Sequence, residues 1–213
     1  MKLITVDQGP TTVAVNSTGS RIYVANYSSN TVSVIDTATD AVIRSPITFG
    51  ALPYGLAVTP DERHVYVGNS GSNTVSVIDT SIDAVVDSPI LVGLTPGGIA
   101  VDPAGSRVYV ANFHSNTVSV IDTASNGVVA TILVGLDPYT VAVDPTGSYV
   151  YVTNFEPDPV QDDYRVSVID TTSNRQVVTV PVGVSPIGVA VAPNGRRVYV
   201  ANSASSSVSV IDI

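Results

Sequence analysis

The stretch Arg107-Val-Tyr-Val-Ala-Asn-Phe-His-Ser-Asn-Thr-Val-Ser-Val-Ile-Asp-Thr123 decides the fold, because variants of it also begin at Arg21, His64, Tyr149 and Arg197. Each copy reads as two short apolar runs joined by a small polar turn that opens on Asn26, Asn69, Asn112, Asn154 or Asn202. Around the third copy, four strand-like runs follow one another: Gly98–Val101, Val108–Ala111, Val118–Ile121 and Val128–Val134, here called A, B, C and D. Their β-branched content and short length favour strands over helices, and turn residues such as Asp102-Pro-Ala-Gly105 separate every pair. The repeated tyrosine falls at positions 23, 66, 109, 151 and 199. Four strands in roughly 40–45 residues is the pattern of a propeller blade, so residues 1–213 form a single all-β domain of five blades, each with four antiparallel strands.

The termini predict how the ring closes. The fifth copy stops at Val208-Ser-Val-Ile-Asp-Ile213, after strand C, while Leu3-Ile-Thr-Val-Asp-Gln-Gly-Pro10 matches the D run of other copies, such as Ile132 to Pro138. Pairing the N-terminal strand beside the C-terminal three completes blade five and leaves no open edge, giving a closed, monomeric, five-bladed ring.

With Tyr-Val-Ala-Asn in most copies, Tyr151-Val-Thr-Asn154 in the fourth and Thr-Val-Ser-Val-Ile-Asp-Thr after it, the sequence resembles the YVTN family of β-propeller repeats. The resemblance covers nearly the whole chain. It implies a propeller of the kind found in archaeal surface-layer and bacterial envelope proteins, related to the streptogramin-lyase-like propellers and mostly seven-bladed. It therefore implies an extracytoplasmic or cell-surface location, although Met1-Lys2-Leu-Ile-Thr-Val reads as a strand and not as a signal peptide. Five blades depart from the family pattern, so no catalytic residue is carried over.

Composition narrows the partners. A net charge of −9 with a single lysine, Lys2, has no field to draw in polyanions, so nucleic acid and anionic membrane are poor partners, and no apolar run is long enough to insert in a bilayer. The absence of cysteine removes thiol nucleophiles and Cys-ligated metals. At this length roughly 70% of the unfolded chain's surface is buried on folding, so neither a disulfide nor a structural metal is required.

Residues present in every copy read as scaffold. Asp36, Asp79, Asp122, Asp170 and Asp212 end strand C, where a carboxylate accepts N–H bonds of the following turn, and the five asparagines read as Asx-turn residues. Asp102 and Asp144 follow strand A inside Asp-Pro turns, a structural setting. Strand A is built of small residues, Gly55, Gly98, Ala57 and Ala100 among them, which let strands crowd an axis but supply no acid, base or nucleophile.

Residues that break the repeat are the functional candidates. Asn154 and Val166 enclose eleven residues, against five in the other copies, and bring in Glu156, Asp158, Asp162 and Asp163. Four carboxylates suit a hard cation such as Ca²⁺, with a solvated acidic loop as the plainer reading. Eight aromatics do not repeat: Tyr27, Phe49, Tyr54, Phe113, Tyr139, Tyr149, Phe155 and Tyr164. All but Phe49 and Tyr149 fall in B–C loops or just after the D–A proline, which emerge at the same end of a blade. Tyr54, Phe113, His114, Tyr139, Phe155 and Tyr164 are the predicted ligand-binding set, on a face suited to protein or carbohydrate. The expected function is a non-enzymatic binding or scaffold propeller. The alternatives are a metal-assisted hydrolase or lyase using the acidic loop of the fourth blade, and a structural surface-layer module.

Overall fold

The computed structural model describes residues 2–43, 46–48 and 50–213, and Phe49 lies outside them. Five antiparallel sheets follow the repeat. The first holds β1 (Pro10–Val15), β2 (Arg21–Asn26), β3 (Thr31–Asp36) and an outer strand in two pieces, β4 (Ala41–Val42) and β5 (Ile47–Thr48). The second holds β6 (Pro53–Val58), β7 (His64–Asn69), β8 (Thr74–Asp79) and β9 (Ala84–Leu91). The third holds β10 (Pro96–Val101), β11 (Arg107–Asn112), β12 (Thr117–Asp122) and β13 (Gly127–Leu133). The fourth holds β14 (Pro138–Val143), β15 (Tyr149–Asn154), β16 (Arg165–Asp170) and β17 (Arg175–Pro181). The fifth has three strands, β18 (Pro186–Val191), β19 (Arg197–Asn202) and β20 (Ser207–Asp212).

Side chains alternate across a strand, so Arg-Val-Tyr-Val-Ala-Asn sends its two valines to one face and Tyr and Ala to the other. Both faces are apolar because both are covered. Tyr109, Ala111, Val118 and Val120 of blade three pack against Val141, Val150, Val152 and Ile169 of blade four. The same interface recurs between blades one and two, two and three, and four and five. One tyrosine also makes the expected bond between blades, Tyr66 Oη donating to Asn126 Oδ1 at 2.7 Å.

The inner strands β1, β6, β10, β14 and β18 pack in that order. Glycine sets their spacing. A Cβ at Gly98 would lie 2.7 Å from Thr140 Cα, and one at Gly55 would run into the Gly97 carbonyl.

The predicted closure is not what the structure shows. The three strands of blade five have no fourth partner among the described residues. Residues 2–9 lie instead against blade one: Tyr27 N donates to the Gly9 carbonyl at 2.8 Å, Thr31 Oγ1 to Asp7 at 2.7 Å, and Lys2 pairs with Asp40 at 3.0 Å. Every D–A segment makes the first of these contacts with the blade it enters, as Phe113 N does with Thr95 O and Phe155 N with Asp137 O, both at 3.0 Å. The N-terminal segment obeys that local rule. Blade five also shows a bare face, because no further described blade follows it. Tyr199 is 40% exposed and Val208 61%, where their counterparts Tyr109 and Val118 are 2% and 0%. Where a fourth strand would seat, Val177, Val178, Val180 and Ile211 line an open groove beside Tyr149 and Tyr151.

The repeated polar residues serve the hairpins. Asp36, Asp79, Asp122 and Asp170 accept turn N–H bonds from Thr39, Ser81, Ser125 and Ser173 at 2.7–2.9 Å, while Asp212 pairs with Arg197 at 2.9 Å. Asp102 and Asp144 likewise accept from their own turns, at Ser106 N and Tyr149 N. The asparagines do something other than the expected Asx turn. Their side chains are buried beneath the B–C loop and donate across the hairpin, Asn112 Nδ2 to Thr117 Oγ1 at 3.0 Å and to Ser119 Oγ at 2.9 Å. Asn26, Asn69 and Asn202 repeat this pair of bonds, and Asn154 keeps the bond to Ser167.

Two outcomes follow. Val118→Lys buries an unpaired charge between blades and lowers unfolding free energy by more than about 3 kcal/mol, whereas Val208→Lys on the bare face changes it by less than about 0.5 kcal/mol. Urea denaturation of the two variants measures this, and equal losses would mean that the blade-five face is covered. The second outcome concerns acid. Turn N–H bonds hold Asp36, Asp122 and Asp170 below the ordinary value of 3.8, and the Ser81 hydroxyl, with the Ser81 N–H after it, does the same for Asp79. A depressed folded value stabilises above 3.8 and is lost as pH falls below it, so denaturant midpoints drop on going from pH 5 to pH 3. Replacing all four by Asn flattens that drop, and an unchanged slope would show that these carboxylates do not couple to folding.

Candidate functional site

The B–C loops and the D–A loops emerge at one end of the blades, and there the chain leaves its repeat. Ser70 and Ser203 follow the hairpin asparagine in copies two and five, where copies one, three and four carry Tyr27, Phe113 and Phe155. After the D–A proline come Tyr54 and Tyr139. These side chains meet at a cleft of about 310 Å³ whose walls come from the first four blades: Tyr27, Tyr54, Phe113, His114 and Tyr139, with Thr95, Pro96 and Gly97.

The rings form a continuous edge-to-face chain, a geometry favoured by the aromatic quadrupole. Tyr27 meets Tyr54 at 6.4 Å between centroids, Tyr54 meets Tyr139 at 6.1 Å, and Tyr139 meets Phe113 at 5.9 Å. The hydroxyls of Tyr54 and Tyr139 are 2.5 Å apart. Burial first, and then the bond to Tyr139, push the Tyr54 phenol up to about 12, so it stays protonated at neutral pH. His114 sits in the short 3₁₀ turn Phe113–Ser115, its ring edge-on to Phe113 at 4.9 Å, with Nδ1 2.8 Å from Thr95 Oγ1. Chemically the cleft offers hydroxyl donors and one imidazole inside apolar walls.

Of the six predicted ligand-binding residues, Tyr54, Phe113, His114 and Tyr139 line this cleft. Phe155 stands behind it, tilted against Phe113 at 6.3 Å and Tyr139 at 6.0 Å. Tyr164 makes no ring contact with the group, and its carbonyl accepts the Val182 N–H at 2.8 Å. Sequence reasoning missed Thr95, Pro96 and Gly97 as lining. The signal was available in their place, the same D–A corner that supplied Tyr54 and Tyr139.

The acidic insertion is a different place with a different chemistry. Asp158 accepts the N–H groups of Val160 and Gln161 at 2.8 and 2.9 Å, which holds it below the ordinary carboxylate value. Asp163 forks with Arg165 at 2.6 and 2.9 Å. Glu156, Asp158, Asp162 and Asp163 therefore do not converge as the predicted Ca²⁺ ligands. Among the described residues no three His, Asp or Glu side chains gather as a metal-ligand set. Glu156, Asp158 and Arg165 instead line a small polar cleft with Gln176 and Thr179.

A family model described as "Lactonase, 7-bladed beta-propeller" matches residues 45–213. No curated protein sequence matches. Among solved structures, hydrazine synthase of Kuenenia stuttgartiensis superposes with a TM-score of 0.84 at 24% identity, over 100% of this chain and 68% of that one. A protein of unknown function from Desulfotomaculum acetoxidans superposes at 0.80 with 17% identity, over 98% and 70%. A candidate 6-phosphogluconolactonase from Bacteroides uniformis does so at 0.80 with 16% identity, over 95% and 66%. At these identities the superpositions establish the propeller fold. The chain spans about two thirds of the length of each. The match to a lactonase model supports the propeller part of the assignment expected from the repeat and places the chain in a lactonase family.

Ionisation of Tyr54 supplies a test of the site's geometry. A folded value raised from 10.0 to about 12 stabilises fully below pH 10 and is lost as pH rises through 12. Denaturant midpoints therefore fall across that range, and Tyr54→Phe makes the fall shallower. The parent slope persisting in Tyr54→Phe would show that this hydroxyl is not held as described.

Proposed function

Because the chain belongs to the Lactonase, 7-bladed beta-propeller family, we propose that it is a hydrolase that opens cyclic esters, with the ester seated in the ring-walled cleft. Family membership overturns the non-enzymatic scaffold expected from the sequence, and the surface-layer reading with it. The Tyr-Val-Ala-Asn repeat is then blade scaffolding beneath a site. The hydrolase alternative is the better supported, with the ring-walled cleft as its centre in place of the acidic insertion, where Asp158 is engaged in turn bonds and Asp163 in an ion pair.

One observation carries the placement: His114, held through Nδ1 by Thr95, shares a cleft with the Tyr54–Tyr139 hydroxyl pair. Two hydroxyls joined by one hydrogen bond use one proton between them. The other is available to a ligand oxygen. A lactone carbonyl pointing at the pair receives that bond, and the bond strengthens as the oxygen gains charge in the tetrahedral intermediate. The mechanism uses the tautomer in which Nδ1–H donates to Thr95 Oγ1, which leaves Nε2 of His114 as the basic nitrogen. It takes a proton from water as the water oxygen attacks the acyl carbon. The ring C–O bond then breaks, the proton passes from the imidazolium to the departing oxygen, and the product is a hydroxy acid. Apolar walls favour the neutral ester over the charged product, which aids release.

His114 is exposed, and copy five carries Ala204 at its position, so His114→Ala leaves the fold intact. The variant loses lactone hydrolysis by about 10²–10⁴-fold in kcat/KM, read as acid release at constant pH. A rate equal to the parent's would remove His114 from the reaction.

A further inference from the structure

Resting on the lactonase reading, the cleft also restricts what kind of lactone enters. We propose that the substrate is an uncharged lactone with a flat, unsaturated or aromatic face, and not a phosphorylated sugar lactone.

The lining is the first ground. Tyr27, Tyr54, Phe113 and Tyr139 present ring faces and edges, Pro96 adds an apolar surface, and Gly97 adds no side chain at all. A planar ligand fits edge-to-face or offset among rings already arranged that way at 5.9–6.4 Å. The volume of about 310 Å³ lies at the small end of ligand sites and suits a molecule of one or two rings.

Charge is the second ground. A phosphate dianion is recognised by guanidinium forks, ammonium groups or clustered N–H donors. No Lys or Arg side chain lines the cleft, and His114 is its sole cationic candidate among the described residues. Arginines that could have served are committed elsewhere. Arg21 pairs with Asp83 at 3.1 Å, Arg165 with Asp163 at 2.6 Å, Arg197 with Asp212 at 2.9 Å, and Arg107 with Asp122. Arg21, Arg107 and Arg197 start the B strands, at the opposite end of the blades from the cleft. The chain's net charge of −9 adds a field that repels an anion on approach.

The test compares dihydrocoumarin, δ-valerolactone and 6-phosphoglucono-δ-lactone as substrates of the full chain. Dihydrocoumarin, neutral and aromatic, should exceed the phosphorylated lactone by at least about 100-fold in kcat/KM, with δ-valerolactone between them. Phe113→Ser, which places there the residue that copies two and five already carry, should lower dihydrocoumarin turnover by more than about 10-fold and change δ-valerolactone less than about 3-fold. Faster turnover of the phosphorylated lactone overturns the substrate class and leaves the hydrolase standing. If no lactone is opened, the hydrolase reading itself fails, and calorimetric titration decides the ligand class separately. Coumarin binding without 6-phosphogluconate binding upholds it. The reverse preference, or no binding of either, overturns it.

Discussion

The packing of one blade's Tyr-Val face on the next blade's Val-Ile face is the constraint from which the rest of the structure follows. Each sheet has two apolar faces, so a blade alone would leave one side or the other in water, and a row of blades covers both. Tyr109 and Val118 are buried only because blade four stands beside them. Tyr199 and Val208, in the same local sequence, are exposed because no described blade covers that face of blade five. Burial here is a property of the neighbour and not of the residue.

Close packing of blades passes strict demands to the backbone. Inner strands must approach until a side chain at Gly55 or Gly98 would collide with the next strand, and the D–A segment must close over the hairpin asparagine. A Cβ at Gly93 or Gly135 would lie 2.7 or 2.5 Å from the side chain of Asn112 or Asn154. The asparagine in turn ties strand B to strand C through Thr and Ser hydroxyls, so a buried polar network holds each hairpin in register. These demands explain why the hairpin asparagine recurs in every copy and the D–A glycine in four of the five.

What remains free to vary is the loop end, and variation there is where a site can arise. Replacing a serine by Tyr27, Phe113 or Phe155, and placing Tyr54 and Tyr139 after the D–A proline, leaves the blades unchanged and fills the cleft with rings. Segregation of charge follows the same division. Arginines beginning the B strands hold aspartates at the far end, as Arg107 does with Asp122, and the cleft end is left with apolar surface and one imidazole.

Strand order within a blade, the repetition of antiparallel sheets and the scaffold role of the repeated aspartates were legible in the sequence, because period-two alternation and turn chemistry act over a few residues. The run Gly98–Val101 marked β10, and Val108–Ala111 marked β11, to within two residues at either end. The aromatics that break the repeat pointed to the loop end of the blades, where Tyr54, Phe113, His114 and Tyr139 line one cleft. Tertiary structure alone decided that Leu3-Ile-Thr-Val leans on blade one instead of completing blade five, since closure depends on the angle between successive blades, which no local pattern encodes. It also decided that Thr95 and Gly97 line the cleft with His114, that Tyr164 does not, and that Asp158 and Asp163 of the insertion bond within their own loop. Convergence of side chains from separate blades is set by the rotation summed over several interfaces, and residues 85 positions apart, such as Tyr54 and Tyr139, meet only after that rotation is made.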